Sequence, residues 1–205
     1  VLFRSLGSRF ESYIYLCNLS VILCQSEVND LGVRIDDRCS YRVHYNAICK
    51  KAYALTAQIF RSFESRDCAF LMSMFNLYIR PIVEYASPVW SPHLKMDVKQ
   101  IERIQRAFTK RIPVLSNMSY ADRLLATNTL SLEHRRLYFD LLLMYKIVHG
   151  LSSLTMRDIG LYPVQMSKLR THGYNINSSF IPVSSLSLYC FSFRTCKLWN
   201  VLQKS

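Results

Sequence analysis

Positively charged residues recur at helical spacing in one stretch of the chain, between Leu94 and Ile112. Steps of three and four residues place side chains on one face of an α-helix. The cations that share this face are Lys95, Lys99, Arg103, Arg106 and Lys110. Only Asp97 and Glu102 oppose them within the stretch. Lysine and arginine in this pattern neutralise backbone phosphates without reading the base sequence, so the row predicts a face that binds nucleic acid.

A row of charges on one helix is most often only a solvated face, and this alternative stays open. Two observations favour binding. The chain carries 26 Lys+Arg against 14 Asp+Glu, a formal net charge of +12, which favours an anionic partner such as nucleic acid. Cations also recur on other predicted helices, and from these we add four candidates for binding: Lys50, Arg61, Arg135 and Arg136.

Catalytic chemistry has little support in the sequence. Asp36 and Asp37 form the only adjacent carboxylate pair, whereas a polymerase needs clustered carboxylates to hold Mg²⁺. Arg34 and Arg38 bracket the pair where a predicted strand gives way to a helix, so we interpret the two acids as turn residues. The histidines and the seven cysteines lack H-E-x-x-H and C-x-x-C spacing. We therefore predict no catalytic residue, metal site or cofactor in this chain.

A membrane partner is also not indicated. No apolar run approaches the ~18–20 residues that span a bilayer, and no basic helix shows the exposed Trp/Phe/Leu face of a membrane-surface helix. We expect an intracellular protein of the nucleus or the cytoplasm. The sequence begins at Val1 rather than at a methionine, which leads us to expect part of a longer chain.

The elements that must position the basic row are mostly helices. Short β-rich runs lie between residues 13 and 35, and from about residue 40 the apolar period changes from two to about 3.6. Predicted helices follow at about 40–63, from 67 to Pro81, at 94–112, after Ser119, at 132–149 and at 193–202. An extended segment is expected at 180–183. The fold class is mainly α, a helical bundle with a small N-terminal β-hairpin.

The apolar pattern also predicts which side chains face the core. In the second helix these are Leu71, Met74, Phe75 and Tyr78. In the basic helix they are Val98, Ile101, Ile104, Phe108 and Ile112. In the helix at 132–149 they are Leu137, Leu141, Met144 and Val148, and because its second half is apolar nearly all round, we expect it at the centre of the bundle. Packing is a better prediction for Trp90 than stacking on bases.

Several strings of this sequence resemble the C-terminal half of non-LTR (LINE-like, jockey-type) retrotransposon reverse transcriptases. They occur in the family's order and extend over roughly residues 13–202. They are D-L-G-V-R-I-D at 30–36, Y-I-R-P-I-V-E-Y-A-S-P-V-W-S-P at 78–92, I-E-R-I-Q-R-A-F-T-K-R-I at 101–112, Tyr120 with R-L at 123–124, L-E-H-R-R-L at 132–137, F-S-F-R at 191–194 and L-W-N at 198–200. Thr127-Asn128-Thr129 departs from the family, which more often has a Leu-Gly turn there.

The resemblance implies a division into three parts. Residues 1–38 would be the end of the palm, with strands like a primer grip, 39–150 a helical thumb, and 151–205 a C-terminal extension. The family's aromatic-Ala-Asp-Asp catalytic motif precedes the Leu-Gly-Val strand, so this chain would lack it, and Mg²⁺ would belong to the parent polymerase. The implied partners are primer–template nucleic acid and an upstream palm domain. The alternative is a decayed or domesticated product that acts as a basic structural or interaction protein without enzyme activity.

Overall fold

Eight α-helices and two small antiparallel hairpins make up the part of the chain that the structure describes. The computed structural model describes residues 15–17, 20–22, 26–162, 176 and 189–202. Strands β1 (Tyr15–Cys17) and β2 (Ser20–Ile22) form one hairpin, and β3 (Glu27–Asp30) and β4 (Val33–Asp36) form the other. The predicted fold class, mainly α with a small N-terminal β-hairpin, is confirmed. The extended segment expected at 180–183 lies outside the described residues.

The helices follow the predicted order, with bounds that differ by a few residues. They are α1 (Arg42–Ser62), α2 (Cys68–Met74), α3 (Arg80–Glu84), α4 (Ser87–Trp90), α5 (Lys95–Lys110), α6 (Tyr120–Ala126), α7 (Leu132–Val148) and α8 (Phe191–Leu202). A short 3₁₀ turn, Pro113–Leu115, follows α5. None of the described helices is both long enough and apolar enough to cross a membrane.

A π-helical turn, Phe75–Ile79, joins α2 to α3. Residues 68–84 are helical without a break, so Pro81 lies inside a continuous helix just after the π turn, where the regular i→i−4 hydrogen bonding is already interrupted. The wider turn changes which residue faces inward. Ile79 is fully buried, whereas Tyr78 is 54% exposed, so the prediction that Tyr78 faces the core is wrong. Simple 3.6-residue periodicity does not anticipate the extra residue of a π turn.

Helix α5 lies at the centre of the main core. Its predicted inward residues Ile101, Ile104 and Phe108 are fully buried, as is Ile112 beyond its end. The ring of Phe108 packs between Phe60 of α1 and Phe75, with ring centroids 5.1 and 5.0 Å away. Val98 is only partly buried. The apolar face of α5 is thus fixed in the core, which leaves its opposite face outward.

The rotation of α7 differs from the prediction. Its buried residues are Leu132, Arg136, Asp140, Met144 and Ile147. Leu137, Leu141 and Val148, which we expected inward, are only partly buried. Helix α7 packs against α3, α4, α5 and α8, and its expected place at the centre of the bundle stays a prediction. The apolar pattern failed here because two charged residues occupy inward positions that a hydrophobicity pattern assigns to solvent.

Two smaller regions pack on this framework. Hairpin β3–β4 lies against α1 and contributes Val33 to the main core. Helix α8 packs against α7, and Met144, Leu161, Ile176, Cys196 and Trp199 form a second hydrophobic cluster there. The predicted division at residues 38 and 150 stays a prediction.

Candidate nucleic-acid interface

The outward face of α5 carries positive charge only. Its five basic side chains are all exposed: Lys95, Lys99, Arg103, Arg106 and Lys110. The two acidic residues of the helix are both buried, with Asp97 4% and Glu102 6% exposed. The exposed charge on this helix is therefore more uniform than its sequence indicates.

Glu102 is buried because it joins three helices. Its carboxylate accepts the backbone N–H groups of Leu132 (3.2 Å) and Glu133 (3.1 Å) at the start of α7, and the hydroxyl of Tyr120 on α6. A carboxylate at a helix N-terminus is stabilised by the helix dipole and by the free N–H groups of the first turn. Glu102 thus holds α7 to α5 without reducing the charge of the exposed face.

Helix α1 extends the positive surface. The amide of Gln100 donates to Asn46 at 2.8 Å, and the rings of Phe60 and Phe108 meet further along, so α1 and α5 run in the same general direction. On α1, Asn46, Lys50 and Arg61 share one helical face, and both cations are exposed. We call the following set the basic surface: Lys50, Arg61, Lys95, Lys99, Arg103, Arg106 and Lys110.

Tyr120 holds Arg106 in place. The guanidinium of Arg106 lies over the Tyr120 ring at 4.4 Å, and that of Arg123 lies 5.5 Å from the same ring. Arg123 is buried and donates to the backbone carbonyl of Arg106 at 3.1 Å. Burial and the bond to Glu102 raise the pKa of Tyr120, so its ring stays neutral. A guanidinium held by cation–π contact has less conformational freedom to lose when it binds phosphate.

Two predicted binding residues do not belong to the basic surface. Arg136 is 2% exposed, and its Nη1 and Nη2 have no partner among the described residues. Burial lowers its pKa, since desolvation disfavours the charged form. Arg136 is therefore not on the exposed surface, and the prediction that it binds nucleic acid stays a prediction. Arg135 is partly buried and forms a bidentate ion pair with Glu84, which raises the pKa of Arg135 and offsets its charge.

One cation that the sequence pattern missed adds to this side of the molecule. Arg111 is exposed at the end of α5, and its guanidinium lies over the Phe60 ring at 4.1 Å. Arg111 falls off the helical face of the other α5 cations, so spacing alone did not select it. Its position depends on the packing of Phe60 against α5, which only the structure shows.

The residues considered for other chemistry have structural roles. Asp36 accepts the backbone N–H groups of Arg38 (3.1 Å) and Ser40 (2.8 Å), which confirms that it is a turn residue. Trp90 is fully buried, and its indole N–H donates to the carbonyl of Tyr85 at 2.7 Å, so packing is confirmed for it too. In the part of the chain that the structure describes, no three His, Cys, Asp or Glu residues are grouped to hold a metal ion.

The fold and its exposed charges define a mainly α protein with basic side chains exposed on two adjacent helices, α1 and α5. No protein-family model matches this sequence. A protein of Caenorhabditis elegans, named only as uncharacterized, is 26% identical over 132 residues, which cover 63% of this chain and 67% of that protein. No solved structure matches.

Proposed function

We propose that this chain is the thumb and C-terminal part of a non-LTR retrotransposon reverse transcriptase, and that its basic surface grips the primer–template duplex through the phosphate backbone. The family part of the proposal rests on the resemblance of the sequence strings at 30–36, 78–92, 101–112 and 132–137. In this proposal the chain binds the primer–template duplex and positions it for the polymerase. Polymerisation, with its Mg²⁺, would belong to an upstream palm domain.

One observation carries the binding part of the proposal. On α5, every exposed charged side chain is positive, while both carboxylates point inward. A helix whose charges serve only solvation gains from alternating signs, since opposite charges at i, i+4 stabilise it and like charges destabilise it. Lys95, Lys99 and Arg103 stand four residues apart and repel one another. An anionic partner along the helix would relieve this repulsion.

The alternative, a basic interaction protein without polymerase partnership, is supported by an exposed apolar ridge. Leu77, Tyr78 and Tyr85 are exposed on the π turn and at the end of α3, and the Tyr85 hydroxyl donates to the carbonyl of exposed Leu31 at 2.9 Å. Such a ridge suits a protein partner. In the polymerase proposal the ridge would pack against the palm domain. Poorly cooperative unfolding of the chain would favour the alternative, because a decayed product no longer needs a stable fold.

The salt dependence of binding tests the proposed function. The change is ionic strength, and the measurement is the fluorescence anisotropy of a labelled RNA–DNA duplex titrated with the full chain. We expect affinity to fall by about 10³-fold between ~50 and ~200 mM salt if six or more phosphates are contacted. We also expect two duplexes of unrelated sequence to bind equally. An affinity that hardly changes with salt would contradict phosphate binding.

A further inference from the structure

A polar cavity, which no residue of the basic surface lines, lies between the π turn, α5 and the loop that joins α6 to α7. Its volume is about 370 Å³, within the range of small-ligand sites. The residues that line it include Asn76, Arg80, Gln105, Asn128 and Arg135. All of them lie in the described part of the chain.

The charge in this cavity is of one sign. Arg80 and Arg135 line it, and no carboxylate of the described residues does. Behind them both guanidiniums share the single carboxylate of Glu84, with Arg80 Nε 3.8 Å from one oxygen and Arg135 Nη2 3.0 Å from the same oxygen. Two cations and one anion leave one positive charge uncompensated. Both arginine side chains are only partly exposed, 31% for Arg80 and 24% for Arg135, and an anionic ligand would complete the cluster.

The cavity also contains a buried acceptor that lacks a donor. Gln105 is 1% exposed, its Nε2 donates to the carbonyl of Leu130 at 3.2 Å, and its Oε1 is left without a hydrogen bond among the described residues. Arg80 Nη1 donates to Asn76 Oδ1 at 2.8 Å, so the oxygen of the Asn76 amide faces Arg80 and its nitrogen takes no part in that hydrogen bond. A buried polar atom without a partner is destabilising, so each such atom needs an explanation.

The walls of the cavity are held in uncommon backbone conformations. Asn76 lies in the π turn, and Asn128 has a φ of 48°, in the left-handed region. The Thr127 hydroxyl shares a hydrogen bond with that of Thr129 at 2.8 Å and donates to the carbonyl of Arg123, which fixes the loop. π turns are frequent at functional sites, whereas the left-handed Asn128 is a common way to end a helix, since the N–H groups of Asn128 and Thr129 donate to the carbonyls of Leu125 (3.0 Å) and Leu124 (2.9 Å). The loop is also where the sequence departs from the family it resembles.

From this cluster we propose that the cavity binds a phosphate group whose attached moiety carries a hydrogen-bond donor. Arg80 and Arg135 would donate to the phosphate oxygens, as arginines do at planar and tetrahedral anions. The amide nitrogen of Asn76 would add a neutral donor, and Gln105 Oε1 would accept from a hydroxyl or amino group of the ligand. A nucleotide supplies both features. So does the terminal phosphate of a nucleic-acid strand.

Calorimetric titration of the full chain with adenosine monophosphate tests the site, with Arg80→Gln as the variant and Arg111→Gln as the control of equal charge. We expect saturable 1:1 binding that Arg80→Gln weakens by about tenfold or more, since a charge-assisted hydrogen bond is removed. Arg111→Gln should change the affinity by less than about twofold, because Arg111 lies outside the cavity. Equal weakening in both variants, or no saturable binding by the wild-type chain, would overturn the proposal.

A second pair of variants keeps the test independent of any folding defect at Arg80. Asn128→Asp places a carboxylate at the cavity and tolerates the left-handed backbone, whereas Asn117→Asp makes the same change at another exposed position. We expect Asn128→Asp alone to weaken binding, by about fivefold, through like-charge repulsion. Equal affinities of the two variants would overturn the site.

Two further titrations identify the source of the phosphate and separate this proposal from the basic surface. Preference for a 5′-phosphorylated over a 5′-hydroxyl oligonucleotide would assign a strand end, and equal affinity for the two, with adenosine monophosphate still bound, would assign a free nucleotide. A chain with Lys99, Arg103 and Lys110 replaced by Gln should keep its affinity for adenosine monophosphate even where it no longer binds duplex. If this variant bound neither duplex nor adenosine monophosphate, the two ligands would share the basic surface, and the separate cavity site would be overturned.

Discussion

Single side chains decide which charges of this protein are compensated inside and which face solvent. Arg194 of α8 and Asp140 of α7 form a bidentate pair, with Nε and Nη2 donating at 2.8 and 2.9 Å. Asp140 is buried, and burial raises the pKa of its carboxyl, while the bond and charge of Arg194 lower it. A carboxyl with a raised pKa favours the folded state when protonated, and this contribution is lost as the pH rises through that pKa.

Replacing Arg194 with methionine should therefore destabilise the protein in a pH-dependent way. Without Arg194, the carboxylate of Asp140 stays buried with only the charge of Arg136 to offset its burial, so its pKa rises further. We expect a loss of about 3 kcal/mol in the free energy of unfolding at pH 7, and a smaller loss near pH 4, because a lower pH favours the uncharged form of the Asp140 carboxyl. Urea unfolding at both pH values measures this, with exposed Arg157→Met as the control. A loss of equal size at both pH values would contradict the role given to Asp140.

At the scale of elements, the junction of α5, α6 and α7 depends on Glu102. Glu102→Gln keeps the shape of the side chain but removes its charge and directs an NH₂ group toward N–H donors. We expect the free energy of unfolding to fall by about 1–3 kcal/mol. Glu64→Gln removes the same charge from an exposed residue outside any helix and should have an effect below about 0.5 kcal/mol. Thermal unfolding measures the stability of the two variants. Equal losses of stability would contradict the role of Glu102 in joining α5, α6 and α7.

The sequence predicted the elements better than it predicted their rotation. Helix α5 could be oriented correctly because its apolar residues Ile101, Ile104 and Phe108 are all fully buried, although polar residues of the same helix are buried beside them. Helix α7 could not, because Arg136 and Asp140 occupy inward positions, and Arg194, the partner of Asp140, lies 54 residues away in the chain. The π turn before α3 has no signal in apolar periodicity, so Tyr78 was assigned to the wrong side.

The same limits apply to the candidate binding residues. Spacing along one helix was enough to select the cations of α5, since their orientation follows from the apolar face opposite them. Spacing could not exclude Arg136, which is buried, or find Arg111, whose position follows from a contact between α1 and α5. The burial of Arg136 and the position of Arg111 both depend on contacts between residues that are far apart in the chain. The spacing of residues along one helix carries no information about such contacts.

At the scale of the whole molecule, the charge is distributed unevenly. The basic surface brings cations of α1 and α5 to one side, while Glu84, Asp97, Glu102 and Asp140 are buried or paired. Exposed cations also occur elsewhere: Lys146, Arg157 and Lys197. Replacing these three cations lowers the net charge of +12 as much as replacing three cations of the basic surface. The comparison therefore separates the effect of where a charge lies from the effect of net charge.

The most direct test of the basic surface compares two triple variants that remove the same number of charges. One replaces Lys99, Arg103 and Lys110 with glutamine, and the other replaces Lys146, Arg157 and Lys197. The slope of log affinity for duplex against log salt concentration changes by about 0.9 for each phosphate that the protein no longer neutralises. We predict that the first variant flattens the slope by about 2.7 while remaining folded, and that the second leaves it nearly unchanged. Equal slopes in the two variants would mean that net charge alone drives binding, and would contradict a dedicated interface on α5.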